Sequence, residues 1–105
     1  MRVLIVNFEL VNMTDAELRQ IADELAPAFR DVAGLERKYW LADEATNTYG
    51  GAYIFESHEA VEAYLASDIV AGIKSNPHFT NVSMREFGIL EGPTAVTLPG
   101  LTAAA

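Results

Sequence analysis

Along residues 2–90 the hydrophobic period runs in the order two, helical, two, two, helical, two, and few folds accommodate that order. Arg2 to Leu10 alternates, with Leu4, Val6, Phe8 and Leu10 on one face and Val3, Ile5, Asn7 and Glu9 on the other. That is a strand, and its half-apolar second face implies cover there too. Thr14-Asp15-Ala16-Glu17 then has the form of a capping box, in which a hydroxyl and a carboxylate each satisfy a free N–H at a helix start. Behind it Leu18, Ile21, Ala22, Leu25, Phe29 and Val32 recur at three- and four-residue steps, one stripe of a helix. Pro27 lies inside the stripe and predicts a kink, because its missing N–H breaks the ladder; Gly34 supplies the stop.

Leu35 to Ala42 alternates again, setting Leu35, Arg37, Tyr39 and Leu41 against Glu36, Lys38, Trp40 and Ala42. The polar segment 43–48 predicts a loop, and Gly50-Gly51 a turn or bulge. A third strand is expected over Ala52 to Glu56, with Tyr53 and Phe55 opposite Ile54. Ser57 caps a second helix whose stripe is Val61, Tyr64 and Leu65, and a short continuation, Asp68 to Lys74, ends at Asn76-Pro77. The fourth strand is expected from about Val82 to Leu90, with an irregularity near Glu86 or Gly88. From Glu91 onward neither period is present, so residues 91–105 read as a wrapping arm or a disordered tail beside a domain over 1–90.

The order β-α-β-β-α-β is the split arrangement of ferredoxin-like α+β domains, an antiparallel sheet with helices on one face. Its other face would carry Ile5, Ile54 and one side of strand two. A bare apolar sheet face is expected to be covered by a second copy, which makes the chain a homodimer.

Composition narrows the function. A chain of 105 residues is one domain. Seven basic against 15 acidic residues give a net charge of −8, which argues against nucleic acid and anionic membrane surfaces as partners. The absence of cysteine excludes disulfides, thiol catalysis and cysteine-ligated metals. No stretch approaches the roughly 20 apolar residues of a membrane span, and Met1 to Asn7 is too short an apolar run for a signal peptide. A cytoplasmic location is therefore expected.

Three segments carry a resemblance: Val32-Ala33-Gly34-Leu35-Glu36-Arg37-Lys38-Tyr39-Trp40, Gly50-Gly51-Ala52-Tyr53-Ile54-Phe55, and Ala63-Tyr64-Leu65. Together they resemble the YdhR-type monooxygenases of the dimeric α/β-barrel superfamily, which includes the antibiotic-biosynthesis monooxygenases. The resemblance covers roughly residues 1–90. It implies a homodimer with sheets packed face to face, a dimeric α/β barrel, and a ligand pocket in each protomer between sheet and helices. It further implies oxygenation of a planar aromatic or polyketide-like molecule without a cofactor. Such a substrate, once deprotonated, gives an electron to O₂, while the protein supplies a dry pocket, a proton acceptor and anion-stabilising donors.

Six residues are candidates for that chemistry. Trp40, the only tryptophan, is either a stacking wall with an N–H donor or a core or interface aromatic; Tyr53 and Tyr64 are either pocket tyrosines or buried ones with satisfied hydroxyls. Tyr39 is a weaker wall candidate, and Tyr49 is expected to be exposed on the loop. His78, with a near-neutral intrinsic pKa, is a candidate base, against the bland alternative of a polar loop edge. Arg85 could steady a substrate anion, or could pair with Glu86 or with the other subunit. His58 reads as solvent-facing, and Asn7 as an interface residue.

Rival readings remain at this point. Heme-degrading relatives in the superfamily use an Asn, a Trp and an axial His, types that Asn7, Trp40 and His78 supply at a doubtful spacing. A redox-neutral isomerase or cyclase could use the same pocket, as could a non-catalytic dimeric ligand-binding domain.

Overall fold

The computed structural model describes residues 1–104, with side chains through Leu98. Strand β1, Arg2–Leu10, buries Leu4, Val6, Phe8 and Leu10 and leaves its other side half-buried. Helix α1, Asp15–Leu25, opens with the capping box: Glu17 N–H donates to the Thr14 hydroxyl at 3.1 Å, and Thr14 N–H to the Glu17 carboxylate at 2.9 Å. The α-helix stops at Leu25, and Ala26–Asp31 continues as a 3₁₀ turn with Pro27 in its first turn. The missing Pro N–H thus ends the α-helix rather than kinking a longer one. Of the single stripe expected from Leu18 to Val32, only Phe29 is buried in the core.

Strand β2, Leu35–Asp43, and strand β3, Thr48–Phe55, flank a 3₁₀ turn over Glu44–Thr46. Gly50-Gly51 lies within β3, not in a turn before it. The reason is close approach: a Cβ on Gly50, whose φ is 151°, would stand 1.8 Å from the Val6 carbonyl oxygen. Tyr49, expected on a loop, is therefore a β3 residue only 2% exposed.

Helix α2, His58–Leu65, is capped by Ser57, whose hydroxyl accepts from Ala60 N–H at 3.1 Å. Helix α3, Asp68–Ser75, has its own cap in Ser67. Strand β4 runs Phe79–Gly88, earlier than expected, and its irregularity falls where the register with β1 shifts between Asn7 and Glu9. Asn81, with φ 52°, takes the left-handed turn there. Residues Glu91–Ala104 form helix α4 where the sequence shows no helical period, and Ala105 of the expected tail lies outside the described residues.

All pairings are antiparallel, in the order β2-β3-β1-β4. The chain thus has the ferredoxin-like α+β fold, as its periodicity predicts. The buried alternate positions of β1 and β3 pack with Val61 and Tyr64 of α2 and Val70 of α3. Cross-strand partners share a face. On the opposite face Ile5 therefore lies between Ala52 and Arg85, and Val3 between Ile54 and Phe87. Tyr39 opposite Ala52 and Arg37 opposite Ile54 complete that surface, which is apolar apart from Arg37 and Arg85 and on which Tyr39 and Phe87 are exposed.

Candidate functional site

On the helix side of the sheet a cavity of about 600 Å³ opens between α1 and α3, within the roughly 300–1,000 Å³ of small-molecule sites. Its floor is Val6 and Phe8 of β1, Lys38 and Trp40 of β2, and Gly50 and Tyr53 of β3; Phe29 closes one end. Leu18, Ile21, Ala22 and Leu25 of α1 form one wall, and Ile69, Gly72 and Ile73 of α3 the other. The apolar stripe of α1 is thus a cavity wall: no α1 residue is fully buried, and Leu25 is 50% exposed. Charge is confined to Arg19, Asp23, Asp68 and Lys38.

The cavity is aromatic at its inner end. The Phe29 ring meets the Trp40 ring edge-on at 5.0 Å between centroids, and Tyr53 lies 6.3 Å from Phe29. Behind Tyr53, the Tyr64 hydroxyl donates to the Tyr53 hydroxyl at 3.0 Å. Burial is the main cause pushing both phenols upward, so both stay neutral at physiological pH.

Lys38 is the residue that sequence reasoning missed. Its Nζ sits 3.3 Å from the Trp40 ring centroid, 3.5 Å from that of Phe29 and 4.5 Å from that of Tyr53. Burial pushes its ammonium down to about 7. A signal was present: Lys38 is two residues before Trp40 and so shares its face of the strand. A lysine on a half-buried strand reads as solvated, and the signal passes unnoticed.

The expected site residues divide into two sets. Trp40 and Tyr53 line the cavity, with Tyr64 directly behind. Tyr39 and Arg85 do not belong to it, because the strand period turns them to the opposite face. There Arg37 donates to the Tyr39 hydroxyl at 3.0 Å, and Arg85 stands over the Phe87 ring at 5.2 Å. His78 is also outside the lining: it sits at the α3–β4 corner, with Nδ1 2.8 Å from the Val11 carbonyl oxygen. Asn7, opposite Gly50 and Ser83, lies on the uncovered face. Asn7, Trp40 and His78 therefore do not converge.

Two polar clusters are also present, the first reaching the cavity wall through Arg19. Asp15 accepts from Arg19 at 2.6 Å and from the Tyr49 hydroxyl at 2.7 Å, which holds its carboxyl below the usual range, Arg19 being the larger cause. Glu86 accepts from Arg2 at 2.6 Å and lies 2.7 Å from His58 Nδ1. The Arg85–Glu86 pair considered from the sequence is not formed, since neighbouring strand residues point to opposite faces.

Residues 3–99 match the family model described as "Putative mono-oxygenase ydhR". Among solved structures the chain is similar to the heme-degrader MhuD from Mycobacterium tuberculosis, solved with two hemes bound in its active site. The two are 23% identical over 86% of this chain and 96% of that one, with a TM-score of 0.66. It is also similar to a variant of SnoaB, a cofactor-independent oxygenase from Streptomyces nogalater, at 21% identity over 85% and 93% and a TM-score of 0.64. A third is a "putative antibiotic biosynthesis monooxygenase" from Deinococcus radiodurans, at 18% identity over 85% and 92% and a TM-score of 0.65. These likenesses establish the fold. No curated protein matches the chain.

Proposed function

Because the chain belongs to the YdhR mono-oxygenase family, we propose that it oxygenates a planar aromatic or polyketide-like molecule with O₂ and without a cofactor. The observation that carries this reading is the convergence of Trp40, Phe29 and Tyr53 on one apolar cavity large enough for a fused-ring ligand. Ring faces stack a flat substrate, and the α1 and α3 walls keep water from a substrate anion. The hydrogen bond between the Tyr53 and Tyr64 hydroxyls, 3.0 Å long, fixes the Tyr53 ring against such a substrate. The likeness to SnoaB supports the same chemistry.

Heme, held by another fold relative, fits this cavity poorly. Its lining includes no histidine, cysteine or methionine, and the Tyr53 hydroxyl is engaged by Tyr64.

The same reading makes the protein a homodimer, with the face bearing Ile5, Ile54, Tyr39 and Phe87 against its copy. Apolar side chains from all four strands meet there, and Tyr39 and Phe87 among them are exposed, which supports a second identical sheet as the occupant.

The test is O₂ uptake with a panel of anthrones and quinols in the presence of a metal chelator, with Trp40 fluorescence reporting binding. Uptake above the buffer rate is expected. Binding without uptake for every compound would leave a redox-neutral or non-catalytic role in its place.

A further inference from the structure

The Lys38 ammonium has no carboxylate partner among the described residues. The charged groups that share its cavity are Arg19 and Asp23 on α1 and Asp68 on α3, and none forms an ion pair with it; Arg19 is engaged by Asp15. In place of a counter-ion, Nζ faces three aromatic rings. Space for this is made by Gly51, where a Cβ would stand 3.0 Å from Lys38 Cε and 2.9 Å from Tyr53 Cε1.

We propose that Lys38 is the proton acceptor of the reaction in this cavity, and that its substrate is accordingly a weak carbon or phenolic acid such as an anthrone, a 1,3-diketone or a hydroquinone. This inference rests on the oxygenase reading. Two opposing effects on Lys38 suit the role. Desolvation favours the neutral amine and lowers the ammonium to about 7, so that free amine is present near neutral pH before reaction. The ring quadrupoles favour the ammonium, by roughly 0.5–2 kcal/mol per contact, and so stabilise the charge that appears as the proton arrives. The new ammonium then lies beside the substrate anion it has made.

For an activated methylene the atoms balance. The Lys38 amine takes a C–H proton, and the carbanion passes one electron to O₂. The radical pair closes a C–O bond, and the resulting peroxide anion recovers the proton from Lys38. Loss of water from the hydroperoxide leaves the ketone, so that R₂CH₂ and O₂ become R₂C=O and H₂O with Lys38 neutral again.

Proton removal is read apart from oxygenation by mixing the protein anaerobically with anthrone and following the anion's absorbance. Wild type should form the anion rapidly, and Lys38→Met and Lys38→Arg about 10²-fold more slowly or not at all. Adding ethylamine to Lys38→Ala should restore part of the rate. A variant as fast as wild type, or no anion with wild type, overturns the proposal. An anion that forms but takes up no O₂ when air is admitted leaves Lys38 as the acceptor and rejects the oxygenase reading. Competitive acetylation of the wild-type protein against pH needs no variant. Lys38 should titrate near 7, and titration at the ordinary 10.5 overturns the proposal.

Discussion

The Tyr64 hydroxyl, carried by α2, donates to the Tyr53 hydroxyl of β3 across 3.0 Å in the buried layer beneath the cavity. Their ring centroids are 5.2 Å apart, so packing and one hydrogen bond together fix how Tyr53 faces the ligand. Tyr64 thus acts on the site through Tyr53. Tyr64→Phe should keep the fold and lower stability by about 0.5–1.5 kcal/mol in urea unfolding. Anthrone affinity should fall several-fold, because the Tyr53 hydroxyl is no longer oriented. Unchanged stability and affinity would show that the bond positions nothing.

Gly51→Ala tests the ring cage directly. The added methyl meets the Tyr53 ring and the end of the Lys38 chain, and the flexible chain is what can move. Wild-type Trp40 fluorescence should show a step near pH 7 as Lys38 titrates over the indole, and Gly51→Ala should lose that step. Gly50→Ala, in contrast, drives a Cβ into the Val6 backbone and should prevent stable folding. Equal tolerance of both substitutions in thermal denaturation would contradict the described β1–β3 approach.

The period of the chain made the sheet and its helices legible, together with the capping box at Thr14 and the placing of Ile5 and Ile54 on one face. Trp40 and Tyr53 were legible as candidates because few residue types make a stacking wall. What escaped depended on long-range contact. Gly50-Gly51 reads locally as a turn, and only the Val6 carbonyl shows why glycine is needed inside a strand. Tyr39, Arg85 and His78 have suitable chemistry, but strand parity and a corner hydrogen bond to Val11 keep them out of the cavity. Lys38 was hidden because two of the three rings that enclose it, Phe29 and Tyr53, come from other parts of the chain. Helix α4 lacks an apolar stripe and so left no period to read.

The Glu86 cluster should give a pH-dependent contribution to stability. The Glu86 hydrogen bond raises His58 in the folded state, so that contribution is complete below about 6.5 and fades as pH rises through the raised value. Glu86 is lowered, first by His58 and then by Arg2, so its own contribution is complete above about 4.5 and fades as pH falls through the lowered value. Lys38 has the opposite slope to His58: its lowered value makes stability rise between about 7 and 10.5. Glu86→Gln shares that rise, so it cancels in a difference. The urea midpoint of wild type minus that of Glu86→Gln should be largest between about pH 4.5 and 6.5 and shrink above it. A flat difference would mean the cluster is not formed in solution.

Light scattering on the purified protein should give twice the chain mass of 11.4 kDa. Ile54→Asp should shift it toward monomer, because an unpaired carboxylate buried between two sheets costs several kcal/mol, on the order of 3–5. A wild-type monomer at micromolar concentration would rule out the face-to-face sheets.

Oxygenation itself is read most directly by the fate of isotopic oxygen. The chelator-treated protein is given anthrone under ¹⁸O₂ and the product is weighed by mass spectrometry. One ¹⁸O atom in the ketone, with the second released as water and with product formation suppressed in Lys38→Met, is the expected result. Product that carries no label, or labelled product formed equally fast without the protein, would contradict a cofactor-free monooxygenase built on the Trp40, Phe29 and Tyr53 cavity.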